Sequence, residues 1–425
     1  MTQYRKSVTI ATASAAAIAV TACAGGVGGT GGGEDSSTGF DYGTEQQAVD
    51  EIVAELEPVT LMLSSDAPSS EAMNADSTLQ FAEEIETRSN GKIAIDIAWG
   101  HSVTGNVTDV PDALADGRLD LSTGTLVYHP KEFPAYNEIN ALSKHVPSSP
   151  MAGLLAASGV LPEFAWQNDQ VMREIEDAGL VALNPVFNTG EFFYFCGQQA
   201  PGNEQSDWAG RQVRAGTTLH TDLTRAMGST TVSMEWTEVY EAIQRNTVDC
   251  TMTLATTALP TGVVEVAPNI SYPDQGTLGG QGAAGLFAGA SFDELPLAYQ
   301  QIIFDAEPAF TSGNLKSIAD LHVAMVEQAH ASGGEVLPLP AGVEQQYETV
   351  WDDAIASGID AGLLTEGDEQ AVIELADKWE SIVSEMGFED GGDLSTMSDW
   401  YDTDADFRPL ADRIREDIAL VHRPS

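Results

Sequence analysis

Cations are scarce in this chain. Its 425 residues hold 18 Lys+Arg against 65 Asp+Glu, a formal net charge of −47. That balance excludes nucleic-acid binding through a basic surface, because phosphate contacts need the opposite sign. Two explanations stay open for such acidity: a salty habitat, or an acidic surface without any halophily. Catalytic signatures are missing too. The seven histidines (His101, His129, His145, His220, His322, His330, His422) form no H-E-x-x-H, and the three cysteines form no C-x-x-C, so no metal centre is expected. No G-x-S-x-G elbow and no P-loop appear. Two formal G-x-G-x-x-G matches, at 26–31 and 280–285, lack a βαβ frame and read as composition. Paired carboxylates carry no information in a chain this acidic. The expectation is a protein that is not an enzyme and needs no cofactor.

The N-terminus reads as a processing signal. Arg5 and Lys6 precede an apolar run at 9–20 that is too short to span a bilayer. It ends in Val20-Thr-Ala-Cys23, small residues before a cysteine, as at the lipidation site of bacterial lipoproteins; an ordinary secretory signal is the other reading. On the first reading 1–22 is removed and Cys23 carries the acyl chains. Residues 23–57 are then the lipid anchor, a glycine-rich linker and a short helix. The mature chain is held at the outer face of the cytoplasmic membrane, at the cell surface or in the periplasm. Cys196 and Cys250 remain, and in an exported chain an even pair reads as a disulfide, with two buried thiols as the alternative.

Beyond the linker, strands alternate with helices. Period-two or apolar strand patterns occur at 59–63, 93–97, 119–123, 181–183 and 192–196, and helical patterns at 110–117, 221–227 and 237–245. This implies an α/β fold. Pro134, Pro147, Pro150 and Pro162 are expected to break the region around 151–158 into short pieces. A long helical pattern from about 295 to 332 should kink at Pro308. Further helices are expected near 343–357, 366–386 and 405–421.

The most informative stretch is Asp207-Trp-Ala-Gly-Arg-Gln-Val-Arg214. It ends an apolar strand pattern on an arginine, the side chain whose planar fork best grips a carboxylate. Where cations are this scarce, that arginine needs an anion, either an internal carboxylate or a ligand's. An exported α/β chain with no catalytic set fits a solute receptor that closes about a hinge.

The order of several motifs resembles the substrate-binding subunits of TRAP transporters, dicarboxylate-receptor (DctP) type. They are Phe81-Ala-Glu-Glu-Ile85, Ser89-Asn-Gly-Lys-Ile93 and Ala113-Leu-Ala-Asp-Gly-Arg-Leu-Asp120, then Trp208-Ala-Gly-Arg-Gln-Val-Arg214 and Met227-Gly-Ser-Thr-Thr-Val232. Glu238-Val-Tyr-Glu-Ala-Ile-Gln244, Val248-Asp249 and Phe292-Asp-Glu-Leu-Pro296 follow. The resemblance implies a two-domain periplasmic-binding-protein-like fold with a hinged central cleft and a long kinked helix spanning both domains. Domain I is expected at 58–190 and 280–320, domain II at 191–279 and 321–347, and C-terminal helices at 348–425. It implies an extracytoplasmic receptor that binds a small organic carboxylate and delivers it to membrane permease subunits, with Arg214 bridging the ligand's carboxylate. Two alternatives are the lipoprotein receptor of an ATP-driven importer and an extracytoplasmic enzyme on a receptor-like fold.

This chain departs from that pattern twice. The strand at 188–196 lacks the second arginine that the family often has, and Thr253 stands where an asparagine is common. One cation favours a monocarboxylate or a zwitterion over a diacid. Trp236, Phe192, Phe193 and Tyr194 are candidates for an apolar pocket wall. Thr253 offers one hydrogen bond, and Glu191 is a candidate acceptor for a ligand amine or hydroxyl.

Overall fold

A computed structural model describes residues 37–197, 204–274, 276–279 and 282–425. Cys23 and the first G-x-G-x-x-G lie outside these residues. From Ser36 onward the chain forms one unit built on two sheets.

The strands are β1 (Val59–Ser65), β2 (Ile93–Trp99), β3 (Leu121–Gly124), β4 (Val181–Phe187), β5 (Phe192–Cys196), β6 (Gln212–Arg214), β7 (Thr230–Val232), β8 (Cys250–Leu254), β9 (Asn269–Tyr272), β10 (Ala284–Ala288) and β11 (Val336–Pro338). The first sheet runs β2-β1-β3-β10-β4 and the second β11-β9-β5-β8-β6-β7. In the first, β1 pairs parallel with β2 and β3, while β10 is antiparallel to β3 and β4. In the second, β5 is antiparallel to β8 and β9, and β6 is parallel to β7 and β8. The chain passes between the sheets at 188–191, at 273–283, and along helix Glu307–Ala331, which touches elements of both.

Local signals account for much of this. Helix Asp76–Arg88 buries Phe81, Ala82 and Ile85 on one face and stops at Asn90-Gly91, both with positive φ (51° and 72°). The long C-terminal pattern is two helices, Leu297–Asp305 and Glu307–Ala331, separated at Ala306, with Pro308 in the first turn of the second. Proline's missing N–H costs nothing there, so the bend falls where the helix can restart. Cys196 and Cys250 face each other across β5 and β8 in a disulfide (S–S 2.04 Å), closing 54 residues of sequence separation.

One expectation fails. The region of 151–158 is not broken: Ala152–Gln167 is a continuous helix with Pro162 inside it. It is apolar on all sides, and every residue from Gly153 to Trp166 is buried. Burial on that scale outweighs one lost backbone hydrogen bond and a proline kink. Helix Asp368–Glu385 packs on it so closely that a Cβ at Gly159 would lie 2.1 Å from Trp379 Cδ2. Trp379 Nε1–H and Lys378 Nζ both donate to Glu163, each at 2.7 Å.

The C-terminal segment touches both halves. Asp390 Oδ1 accepts from the N–H groups of Met151 and Ala152 (2.9 and 3.0 Å) at the start of the buried helix, which lies on β4. Ser395 lies close to Tyr272 on β9, and the turn Leu394–Thr396 sits beside β11. Arg423 forms a two-pronged pair with Asp305 (2.8 Å at both Nε–Oδ1 and Nη2–Oδ2).

Candidate functional site

A cleft of ≈ 1840 Å³ lies between the sheets. Ser65, Asp66, Thr123 and Tyr128 line it from the first sheet's side, Ala215, Gly216, His220, Val232, Trp236 and Leu254 from the second's. Many of these residues follow the carboxyl ends of β1, β3, β6, β7 and β8, where α/β sheets place ligands. Phe310 and Asn314 of the long helix, and Val350 and Ala354 of helix Ala341–Asp360, complete the lining.

Arg214 ends β6, paired with Thr251 and Val232. It is half-buried at the cleft wall, beside the lining residues Ala215 and Trp236. Its guanidinium carbon is 5.5 Å from the Trp236 ring centroid, and a Cβ at Gly216 would lie 3.3 Å from Nη1. A glycine at 216 leaves the approach to that nitrogen open. Among the described residues Arg214 forms no ion pair, and its Nε is buried without a hydrogen-bond partner. Burial lowers its pKa, opposed by Tyr128 and Glu235, the groups that face it electrostatically. Nearby Arg211, by contrast, donates to the Asp207 carbonyl at 2.7 Å.

His220 occupies the first turn of helix Thr218–Ala226, where its N–H is capped by Thr217 Oγ1 (3.1 Å). Its ring lies 4.3 Å from that of Phe192, another cleft residue, with the Leu278 backbone nearby. Nδ1 is buried with no partner. Burial, with a smaller contribution from the Arg214 charge, pulls the imidazole's pKa down to about 4. Across the cleft, His101 Nε2 bonds Asp66 Oδ1 at 3.0 Å, which raises the histidine's pKa.

Not every expected residue reaches the cleft. Trp236 and Phe192 line it, and Arg214 lies against Trp236, next to the lining residues Ala215 and Gly216 but not itself among those that line the cleft. Phe193 and Glu191 instead line a separate cavity of ≈ 290 Å³ with His322, Tyr272 and Asp390. Strand alternation explains the split: Phe192 faces the cleft side and Phe193 the opposite face. Glu191 accepts from Thr277 Oγ1 (2.8 Å) and Leu278 N–H (2.9 Å), so its carboxylate braces the crossing at 273–283. Tyr194 is buried in the second sheet's core, its hydroxyl 3.3 Å from those of Thr224 and Tyr347. Thr253 is buried opposite Phe193. His220 and Tyr128 line the cleft although no sequence pattern singles them out; a lone histidine in a helix has no signature.

No cluster of His, Cys, Asp and Glu suited to a metal occurs among the described residues, and no helix among them is long and apolar enough to cross a membrane. Comparison with known proteins gives a consistent result. A family model described as bacterial extracellular solute-binding protein, family 7, matches residues 63–357. A "solute-binding protein" of Albidiferax ferrireducens is 24% identical over 286 residues, covering 64% of this chain and 79% of that one. The fold is similar to a TRAP solute-binding protein from a marine metagenome, specific for aromatic acid ligands and bound to 3-hydroxybenzoate. There the TM-score is 0.63 and the identity 20%, over 77% of this chain and 99% of that one. It is similar also to a TRAP solute-binding protein of Rhodoferax ferrireducens with copurified benzoate (TM-score 0.63, 18% identity, 78% and 100% covered). These matches favour neither the ATP-driven importer nor the enzyme. The chain belongs to the bacterial extracellular solute-binding proteins of family 7, the DctP-type substrate-binding subunits of TRAP transporters.

Proposed function

We propose that this receptor binds a small organic monocarboxylate in the cleft, with Arg214 as the carboxylate anchor, and hands it to the TRAP permease. The observation that carries the reading is the unpartnered Arg214. In a chain with 65 acidic residues, structural arginines readily find carboxylates, as Arg118, Arg408, Arg413 and Arg423 do. Arg214 is held off them at the end of a strand, over an indole, beside a glycine. The other arginine of the cleft, Arg225, pairs with Asp222 at 3.6 Å. That leaves one cation for the ligand and argues against a diacid. Trp236 and Phe192 supply apolar walls for the rest of the molecule, and the aromatic acids bound by two similar structures have that shape. The engagement of Glu191 with Thr277 and Leu278 weighs against its serving a ligand amine.

In this reading 58–190 with 280–320, and 191–279 with 321–347, are two domains that close about the three crossings. Cys23 is acylated and tethers the receptor outside the cytoplasmic membrane; mass spectrometry of the mature N-terminus tests that separately.

The central test is a thermal-shift screen of organic acids, followed by calorimetric titration. A specific monocarboxylate should raise the melting temperature. Arg214→Ala should weaken binding by roughly 30-fold or more, since losing one partner of a buried charge pair costs about 2–5 kcal/mol. Unchanged affinity in that variant, or a panel that shifts nothing, refutes the proposal.

A further inference from the structure

We infer that Asp66 is a specificity-determining residue: its second carboxylate oxygen, Oδ2, receives a positively charged N–H donor borne by the same ligand whose carboxylate Arg214 anchors. The preferred ligand is then a zwitterion, an ammonium-bearing carboxylic acid, over an otherwise similar plain acid. The inference rests on the reading of Arg214 given above and goes beyond it by assigning the ligand a second charged group.

Three neighbouring strands build this wall of the cleft. In the first sheet β1 lies between β2 and β3. Asp66 follows β1 directly, Thr123 stands near the end of β3, and His101 lies two residues past β2. All three line the cleft. Thr123 Oγ1 donates to Asp66 Oδ1 at 3.0 Å, and His101 Nε2 lies 3.0 Å from the same oxygen. The neighbours on either side thus converge on Oδ1 and fix the carboxylate. Oδ2 makes no hydrogen bond to the described residues, and the Asp66 side chain is 49% exposed. A carboxylate oxygen can only accept, so what it lacks is a donor.

The charge balance says what kind of donor fits. The described cleft lining holds four carboxylates, Asp66, Glu138, Asp222 and Asp353, against one arginine, Arg225, which pairs with Asp222 at 3.6 Å. A plain acid pairs with Arg214 and brings nothing to Asp66. When the cleft closes and water leaves, Oδ2 loses its solvation, a cost that only a donor on the ligand recovers. A neutral hydroxyl would satisfy the oxygen; a cation satisfies it and also balances the charge, through a hydrogen bond about twice as strong. Asp66 follows a strand of the first sheet and Arg214 ends a strand of the second, so the ligand's two charges are read from opposite walls. A site built to hydrogen-bond a substituent rejects the analogue that lacks it far more strongly than an apolar pocket rejects a missing methylene.

The test uses matched pairs that differ in the amine: para-(aminomethyl)benzoate against para-methylbenzoate, phenylalanine against hydrocinnamate, and proline against cyclopentanecarboxylate. Affinities are measured by calorimetry at neutral pH on the mature protein and two variants. The parent should bind the zwitterion of at least one pair about tenfold or more tighter than its plain partner, as a hydrogen bond to a charged group allows. Asp66→Asn keeps an acceptor for Thr123 and puts an amide NH₂ where Oδ2 was. It should erase the preference while binding the plain acid within about threefold of the parent. Asp66→Ser removes the charge without an amide and should do the same, which covers an asparagine variant that fails to fold. A preference that survives in either folded variant overturns the inference. So does a parent that binds both members of every pair equally or favours the plain acids, although the carboxylate-receptor reading then stands. If no pair binds, the inference falls. The receptor reading falls with it only when the wider acid panel also leaves the melting temperature unmoved.

Discussion

His322 should set part of the protein's acid sensitivity. It sits on helix Glu307–Ala331, edge-on to Phe193 at 5.3 Å, 3% exposed, with the Pro150 backbone near its ring and Nδ1 buried without a partner. Burial pulls its pKa from 6.5 to about 4. A depressed folded-state pKa means that the unfolded chain binds the proton first as pH falls. The stability from keeping this ring neutral is therefore whole above pH 6.5 and is lost as pH drops towards 4. The linkage relation gives a loss of ~2 kcal/mol by pH 5 and ~3 kcal/mol by pH 4 for this one group. His322→Gln removes the titration and keeps a polar side chain of similar reach. Urea unfolding of both proteins at pH 7.5 and pH 5 should show the variant gaining ~2 kcal/mol on the parent over that interval. The many carboxylates titrate alike in both proteins and cancel in the difference. Parallel pH profiles would refute the reasoning, because His322 would then bind its proton as readily folded as unfolded.

Two further outcomes follow from the packing. Replacing Cys196 and Cys250 together by alanine should lower stability by about 2–4 kcal/mol, as loss of a constraint on a long loop predicts; an unchanged urea midpoint would contradict it. Gly159→Ala should cost about 1–3 kcal/mol, because the new methyl meets the Trp379 ring in a full core. A variant as stable as the parent would show that helix Asp368–Glu385 is not seated closely on Ala152–Gln167.

What the sequence disclosed follows from which signals are local. Arg214 stands out because an arginine closing an apolar strand in a cation-poor chain is a local anomaly, and among the described residues its Nε has no hydrogen-bond partner. Strands β1, β2 and β4 announced themselves by apolar or period-two patterns, and the bend before Pro308 by proline's fixed φ. Helix Ala152–Gln167 did not, because four prolines in and around it argued for breaks while the burial that overrides Pro162 comes from helix Asp368–Glu385, some 200 residues later. Glu191 and Phe193 show a finer failure. Their chemistry suited a ligand, but side-chain alternation sends Phe193 to the far face of β5, and Glu191 is taken by Thr277 and Leu278. His220 had no signature at all, since only the fold brings Phe192 to its ring and places it at the cleft.

The C-terminal segment ties the two sheets together over a short stretch of chain. Asp390 holds Met151 and Ala152 beside the first sheet, and the turn at Ser395 sits beside β11 and Tyr272 of the second. These two points are five positions apart in sequence. A fully extended stretch of that length reaches no more than ~17 Å. While both anchors hold, the two halves can swing apart at this edge only as far as that tether extends. The aperture through which a solute enters then has a ceiling set by covalent geometry, whatever the ligand's affinity. The last part of the chain lies beyond the residues that the family model matches, so this tie sits outside the part shared with the family.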